Sequence, residues 1–159
     1  MIPASQPDPV AFEVFNEIGI IDQLAGTMLE RALPRGMTRA QFVVLNHFVR
    51  LGHHERSTAQ LASALQVTRP TMTSTLTRMA RAGLVVIRAD PLDGRGKLVA
   101  LTHNGHKARE AALGAMVPLF PMLDAVVDPA ELAQFLPVLR RLRIALDAAR
   151  DPVPDPPNA

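Results

Sequence analysis

Cysteine, tryptophan and tyrosine are all absent from the sequence. Without cysteine, the chain cannot form disulfide bonds, bind a metal through thiolates, use a cysteine nucleophile or sense oxidants through a thiol. Uninterrupted apolar runs of about 18 residues are also missing, so no segment is predicted to span a membrane. Residues 1–7 carry neither a basic stretch nor an apolar core, which argues against a secretory signal. We therefore expect a cytoplasmic protein.

The net charge is small, but the positive charge is concentrated in one segment. The whole chain has a formal net charge of +2. Residues 66–98 contain six basic and two acidic side chains, and no acidic residue lies between Arg69 and Arg88. Because a local excess of cations favours contact with a polyanion, this segment is the first candidate for function.

The first half of the chain has the spacing and capping signals of helices. Apolar residues three and four positions apart predict a helix from about Pro9 to Leu33. Thr38 with Gln41, and Ser57 with Gln60, form capping boxes, in which the hydroxyl accepts an early helix N–H and the glutamine reaches back. Each box predicts the start of a short helix.

A further helix is predicted from Arg69 to Ala82. Thr68 is its N-cap, Pro70 is tolerated in the first turn, and Gly83 can adopt the left-handed conformation that ends helices. Only the short turn at Gln66-Val67 separates this helix from the one before it, so the two are predicted to form a helix-turn-helix.

The periodicity changes after Gly83. Leu84–Ala89 and Leu98–Leu101 are short β-branched or apolar runs, and the Asp- and Gly-rich segment between them predicts a hairpin loop. Thr102 is the predicted N-cap of a helix that begins near His103.

Prolines interrupt the last helical region. Pro118 and Pro121 are expected to break it, and Asp128 is expected to cap a new helix. Pro137 is expected to bend that helix. Its apolar stripe is Leu132, Phe135, Leu136, Leu139, Leu142 and Leu146.

The predicted helix at 69–82 has two different faces. At about 100° per residue, Met72, Leu76 and Met79 share one side. The other side holds Pro70, Thr73, Ser74, Thr77 and Arg81, with Arg78 beside them. In a major groove, arginine can bridge guanine O6 and N7, and threonine methyls can meet the thymine methyl. An ordinary amphipathic helix with a hydroxyl-rich surface is the alternative, although threonine is a weak helix former and four occur here, at positions 71, 73, 75 and 77.

The predicted hairpin has a tip that suits a minor groove. Gly94 and Gly96 flank Arg95 and allow a tight turn. Arg95 would then project from a narrow loop toward the concentrated negative potential of that groove. Asp93 is placed to hold the loop backbone or the guanidinium. The alternative is a solvated turn with an incidental ion pair.

Several segments together resemble the MarR (multiple antibiotic resistance regulator) family. Residues Asp93–Gly105 are similar to the family's wing, which runs Asp-x-Arg, a strand and then Leu-Thr-x-x-Gly. Thr38–Leu45 resembles its Leu-Thr-x-x-Gln-Phe-x-x-Leu segment. Leu61-Ala62 and residues 67–73 resemble its helix-turn-helix. The resemblance covers roughly residues 10–147, which is nearly all of the chain apart from its proline-rich ends.

The resemblance implies a transcription regulator, in most members a repressor, that binds palindromic double-stranded DNA as a homodimer with interleaved first and last helices. Many members release DNA on binding a small, often phenolic, organic anion, but no effector-binding residue can be assigned. By position, the implied DNA-contacting residues are Arg69, Pro70, Thr71, Thr73, Ser74, Thr77 and Arg78 in the recognition helix, and Asp93, Arg95 and Lys97 in the wing. The exposed helix face adds Arg81.

The predicted fold class is therefore mainly α, a winged helix-turn-helix with a two-stranded β-wing, flanked by N- and C-terminal dimerisation helices. We expect one domain over residues 10–150, between flexible tails at 1–9 and 151–159. The DNA-binding core is expected at about 37–102 and the dimerisation helices at about 10–33 and 103–149. Apolar stripes on those helices need a surface to cover them, which favours a homodimer.

Other functions are less well supported by the sequence. His53-His54-Glu55 and His103 with His106 hold metal-ligating residues, but the first set is a loop cluster and the second lies beside the wing. No phosphate loop, nucleophile elbow or metalloprotease helix is present, so we expect no enzyme and no cofactor. A winged helix used only for protein contacts would tolerate acidic residues on the exposed face of the helix at 69–82, and none occurs there.

Overall fold

The computed structural model describes residues 8–93 and 96–149, and it confirms the predicted mainly α, winged helix-turn-helix fold. The predicted tails and the hairpin-tip residues Gly94 and Arg95 lie outside the described residues. The helices are α1 (Val10–Ala32), α2 (Arg39–Leu51), α3 (Thr58–Ala64), α4 (Arg69–Arg81), α5 (His103–Met116), α6 (Phe120–Asp124) and α7 (Pro129–Ala149). The strands are β1 (Glu55–Ser57), β2 (Val85–Ala89) and β3 (Lys97–Leu101).

Side-chain caps and left-handed glycines set the helix boundaries, as the sequence predicts. The hydroxyls of Thr38 and Ser57 accept from the N–H of the glutamine three residues on, at 3.3 and 3.1 Å. Thr68 caps α4 in the same way at 3.3 Å. Gly52 and Gly83 follow α2 and α4 with φ of +63° and +69°, which a glycine adopts without steric cost.

The sheet has three antiparallel strands in the order β1-β3-β2, one more than the sequence indicates. The additional strand β1 pairs Glu55 with Ala100 and Ser57 with Leu98. It was not predicted because it is three residues long, polar, and directly followed by a capping box, so it shows no alternation of its own.

One apolar core joins α4 to the sheet and to the two helices before it. Its fully buried side chains include Leu45, Phe48, Leu61, Leu76, Met79 and Val99. Burial of each such side chain contributes about 1.5–3 kcal/mol. The core therefore fixes the direction of α4 relative to the hairpin.

Four elements meet at one hydrogen-bonded junction at the base of the hairpin. The Thr102 hydroxyl donates to the Gly83 carbonyl at 2.6 Å and accepts from the Gly105 N–H at 3.0 Å. The Thr102 N–H donates to the Leu84 carbonyl at 3.1 Å. A Cβ on Gly105 would lie 2.2 Å from that Leu84 oxygen, so α5 can approach the end of α4 this closely only with glycine at this position.

The chain divides into two compact units, the first ending at Val117 and the second beginning at Pro118. In the first unit, α1 is joined to α2 where Arg39 lies 2.6 Å from Asp22. The Arg39 guanidinium also covers Gly26, where a Cβ would lie 2.3 Å from Nη1. These contacts hold the C-terminal part of α1.

The predicted break in the last helical region is present. A 3-10 turn at Val117–Leu119 separates α5 from α6. Asp128 caps α7, because its carboxylate accepts from the Ala130 N–H at 2.6 Å, and α7 continues through Pro137. Within the described ranges no single helix is long and apolar enough to cross a membrane; His103–Asp124 and Pro129–Ala149 meet those criteria of length and composition only as a pair.

His47 is a buried titratable group on α2. Its ring lies 5.8 Å from the His53 ring and meets the Phe48 ring edge to face at 6.4 Å. Burial lowers the pKa of His47 below its ordinary value of 6.5, and the nearby positive charges of His53, Arg50 and Arg56 lower it further. The fold thus favours the neutral form of His47 over the protonated form.

Replacement of Gly105 by alanine should destabilise the fold by roughly 1–3 kcal/mol, because the new Cβ overlaps the Leu84 carbonyl. Chemical denaturation monitored by circular dichroism would measure this loss. Gly114→Ala is the matched control on the same helix, where a Cβ meets no atom within 4 Å. The control should be neutral or slightly stabilising, since alanine is the better helix former. Equal stabilities for the two variants would contradict this role of Gly105.

Stability should fall as the pH is lowered through and below 6.5, partly through His47. Its folded-state pKa lies below the unfolded value, so the unfolded chain takes up the proton first and is favoured at low pH. Denaturation midpoints from pH 7.5 to 5 should therefore show a smaller pH dependence in His47→Asn than in the unaltered chain. His54→Asn, at an exposed position, is the control, and a reduction equal to that in His47→Asn would contradict the role of His47.

Candidate nucleic-acid interface

The outward face of α4 carries the candidate residues predicted on that helix. Met72, Leu76 and Met79 are buried, and this orientation turns the opposite side of the helix toward solvent. Thr77 is half-buried. The exposed residues are Arg69, Pro70, Thr71, Thr73, Ser74, Arg78 and Arg81.

The four threonines of α4 have different environments. Thr75 is 3% exposed and belongs to the core side of the helix, so it is not available to a partner. Thr71 shares a hydrogen bond of 2.8 Å with the capping residue Thr68. Thr77 donates to the Thr73 carbonyl at 2.8 Å, which leaves its methyl group and the lone pairs of its hydroxyl oxygen for a ligand. Intrachain contacts therefore account for part of the threonine content, and Thr73 and Thr77 are the threonines that line the surface described next.

A groove of about 490 Å³ separates the exposed face of α4 from the hairpin. Its walls are the start of α3, one side of α4 and the two ends of the hairpin loop. Its lining residues are Ser57, Thr58, Ala59, Arg69, Thr73, Leu76, Thr77, Ile87, Asp90, Asp93, Gly96 and Lys97.

The groove brings together candidate residues from two separate segments of the chain. Arg69, Thr73 and Thr77 come from α4, and Asp93 and Lys97 come from the hairpin. The other candidates on α4 lie outside the groove lining: Pro70, Thr71, Ser74, Arg78 and Arg81. The predicted wing arginine at position 95 lies outside the described residues.

The hairpin loop is closed by its own backbone. The Asp90 N–H donates to the Gly96 carbonyl at 3.0 Å, and the Gly96 N–H donates to the Asp93 carbonyl at 2.8 Å. The Asp90 carboxylate accepts from the Leu92 N–H at 2.9 Å. A Cβ on Gly96 would lie 3.0 Å from atoms of both aspartates, so the absence of a side chain lets the loop close.

Sequence reasoning did not identify the part of the groove formed by Ser57, Thr58 and Ala59, nor Asp90. The capping box at Ser57 indicates only that a helix begins there. Its position beside α4 depends on β1, whose pairing with β3 turns the start of α3 toward the hairpin.

Glu55 and Arg88, which do not line the groove, form a two-point ion pair across the sheet. Arg88 Nε lies 2.8 Å from one carboxylate oxygen of Glu55, and Arg88 Nη2 lies 2.5 Å from the other. The hydrogen bonds from Arg88 lower the pKa of Glu55, and those bonds raise the pKa of Arg88. Both side chains are partly exposed.

The histidine and carboxylate side chains suggested as metal ligands do not converge. Among residues 8–93 and 96–149, no group of three or more such side chains is arranged to hold a metal ion. The groove is lined by two cationic residues, Arg69 and Lys97, and two acidic residues, Asp90 and Asp93. This mixture of charges suits a polar surface contact rather than a metal-binding site.

Known families and structures match this chain. The family model described as MarR family matches residues 35–96. A mutant MarR from E. coli, solved with operator DNA, is 25% identical, with a TM-score of 0.67 over 87% of this chain and 99% of that one. No curated protein sequence matches the chain.

Two further structures share the fold at lower identity. PcaV from Streptomyces coelicolor, solved with its natural ligand, is 21% identical, with a TM-score of 0.67 over 89% of this chain and 99% of that one. BpsR from Bordetella bronchiseptica, whose DNA binding is regulated by 6-hydroxynicotinic acid, is 23% identical, with a TM-score of 0.67 over 82% and 98%.

The family match covers α2 to the hairpin loop, which includes the capped helices α2 to α4 and every groove-lining residue except Lys97. The fold match extends over most of the chain and almost all of each relative. Residues 35–96 are thus similar to the MarR family, and the chain shares its winged-helix fold with DNA-binding transcription regulators of that family.

Proposed function

We propose that this regulator binds a palindromic operator in double-stranded DNA as a homodimer, represses transcription there, and is released by a small organic effector. The observation that carries the proposal is the groove between α4 and the hairpin, which brings these two elements side by side. A duplex strand running between them would let α4 enter the major groove and the hairpin reach the adjacent minor groove.

The exposed chemistry of α4 supports a reading role in the major groove. Arg69, at the first position of the helix, is placed to contact a guanine or a phosphate. Thr73 and Thr77 offer methyl groups and hydroxyl oxygens to base edges. Ser74, Arg78 and Arg81 continue the same acid-free surface, and Pro70 and Thr71 shape its start.

The hairpin supplies the second contact in this proposal. Lys97 is exposed at the start of β3 and faces the groove, where it can meet a phosphate. Asp93 closes the loop through its backbone carbonyl. Arg95 lies between these two positions in the sequence, and we assign it the minor-groove contact.

Exposed apolar residues on the terminal helices support the dimer. On α1 they include Phe12, Phe15, Ile18 and Ile21, and on α7 they include Phe135 and Leu139. Among the described residues of α7, none is fully buried. Because stripes of this size are seldom left in water, we assign them to contacts with a second copy of the chain.

Relatives of the same fold support the effector. PcaV was solved with a natural ligand, and BpsR responds to 6-hydroxynicotinic acid. We infer that an organic anion, phenolic or otherwise, binds this chain as well and lowers its affinity for DNA. A regulator of this kind would act in the cytoplasm.

Selection from a random duplex library tests the DNA-binding proposal. The purified chain should enrich a pseudo-palindrome with half-sites about 10 base pairs apart and bind it with a Kd of about 10⁻⁸ M or tighter. Arg69→Ala and Arg95→Ala should each weaken binding roughly 5- to 100-fold, which corresponds to about 1–3 kcal/mol per arginine. Fluorescence anisotropy would measure both.

Arg50→Ala is the matched control, because Arg50 is exposed on α2 and outside the groove lining. Its affinity should equal that of the unaltered chain. Enrichment of no sequence, or an equal loss in the control, would exclude sequence reading by this surface and favour a winged helix used for protein contacts.

Light scattering tests the dimer. The unaltered chain should have twice the monomer mass of 17.2 kDa at micromolar concentration. Ile21→Asp should yield monomers, since a charge would replace an apolar contact. Val86→Asp, at a similarly exposed apolar position on the hairpin, should remain a dimer. A monomer mass for the unaltered chain would refute the homodimer.

A further inference from the structure

The Glu55–Arg88 pair joins the two outer strands of the sheet. Since the strand order is β1-β3-β2, Glu55 on β1 and Arg88 on β2 are separated by the whole of β3. Outer strands in such a sheet lie about 9–10 Å apart, twice the usual spacing, so only two long side chains can meet across them. The bidentate geometry fixes the direction of the contact as well as its length.

The register explains how the pair crosses the middle strand. Glu55 is paired with Ala100, and Arg88 is paired with Leu98, on the same face of β3. Val99 between them points the other way, into the core. The small side chain of Ala100 leaves space for the carboxylate and guanidinium to meet above it.

The pair joins the two strands that lead to the groove-lining segments of the hairpin and α3. Arg88 is followed by Ala89, the last residue of β2 before the loop, and Ala89 is paired with Lys97. Glu55 begins β1, which ends at Ser57, the N-cap of α3. Lys97 and Ser57 both line the groove, and Ser57 is paired with Leu98, the neighbour of Lys97. A link from Glu55 to Arg88 therefore adds a contact from β1 to β2 to the backbone pairing that holds the hairpin beside α3.

We propose that Glu55 and Arg88 are positioning residues that hold the hairpin at the angle needed to contact DNA while α4 occupies the major groove. This inference rests on the proposed function. It also assigns a role to β1. This strand pairs with β3 over only three residues, and its Glu55 side chain holds Arg88 of the hairpin.

The direction in which DNA affinity changes after removal of the Glu55 charge separates a positioning role from a simple electrostatic effect. Glu55 is a negative charge two residues before Ser57, which lines the surface proposed to meet a polyanion, so removal of that charge alone should tighten DNA binding. If Glu55 positions the hairpin, its removal should weaken binding instead. Arg88→Lys gives a second separation, because it keeps the positive charge but loses the two-point contact.

The experiment measures the affinity of the full chain for its selected duplex by fluorescence anisotropy. Glu55→Gln, Arg88→Gln and Arg88→Lys should each weaken binding about three- to tenfold. The exchanged pair, Glu55→Arg with Arg88→Glu, should return within about twofold of the unaltered chain. Glu110→Gln, which removes an exposed carboxylate on α5, is the control and should not weaken binding. Thermal midpoints should change little, because exposed ion pairs add little to stability.

Each alternative outcome is distinct. Equal or tighter binding by Glu55→Gln would overturn the positioning role while leaving the proposed function intact. Full affinity in Arg88→Lys, or no recovery in the exchanged pair, would show that Arg88 acts as a charge on DNA and would also overturn it. Failure of the unaltered chain to bind any duplex would overturn the proposed function and this inference together.

Discussion

The hydroxyl of Thr102 joins the parts of the molecule that the proposed function requires. It donates to the carbonyl of Gly83, just after α4, and accepts from the N–H of Gly105 in the first turn of α5, while its own N–H donates to the carbonyl of Leu84, just before β2. Because Gly105 has no side chain, α5 can approach the Leu84 carbonyl directly. This compact set of contacts therefore fixes the direction of α4, the base of the hairpin and the start of α5. Because α4 and the hairpin form walls of the groove, these contacts also determine the shape of the groove.

The features that sequence reasoning predicted depend on neighbours in the chain. Capping boxes, the N-cap at Thr68 and the left-handed conformation of Gly83 are decided within four or five residues, and the structure confirms them. The buried and exposed sides of α4 follow from helical period alone. In contrast, β1 forms only because Glu55–Ser57 finds a partner in β3, more than 40 residues away in the chain. The Glu55–Arg88 pair and the α3 wall of the groove depend on that same pairing.

The threonines of α4 illustrate how one residue type serves different purposes within one helix. Sequence composition suggested that stability did not explain them. In the structure, Thr75 packs in the core and Thr71 takes part in capping, whereas Thr73 and Thr77 face the groove. Helical period places Thr75 on the side of Met72 and Met79, opposite Thr73 and Thr77. The candidate DNA surface on α4 is consequently narrower than the threonine count indicates, and its arginines carry most of its charge.

The exposure of the Glu55–Arg88 pair has a consequence for how ionic strength would affect this regulator. The slope of log affinity against log salt concentration is usually converted into a number of phosphate contacts, which assumes that the protein itself does not change with salt. Dissolved ions also screen a partly exposed ion pair. In the proposed role of this pair, added salt would loosen the hairpin as well as displace cations from phosphates. A phosphate count taken from the slope would then exceed the number of basic side chains that contact the duplex.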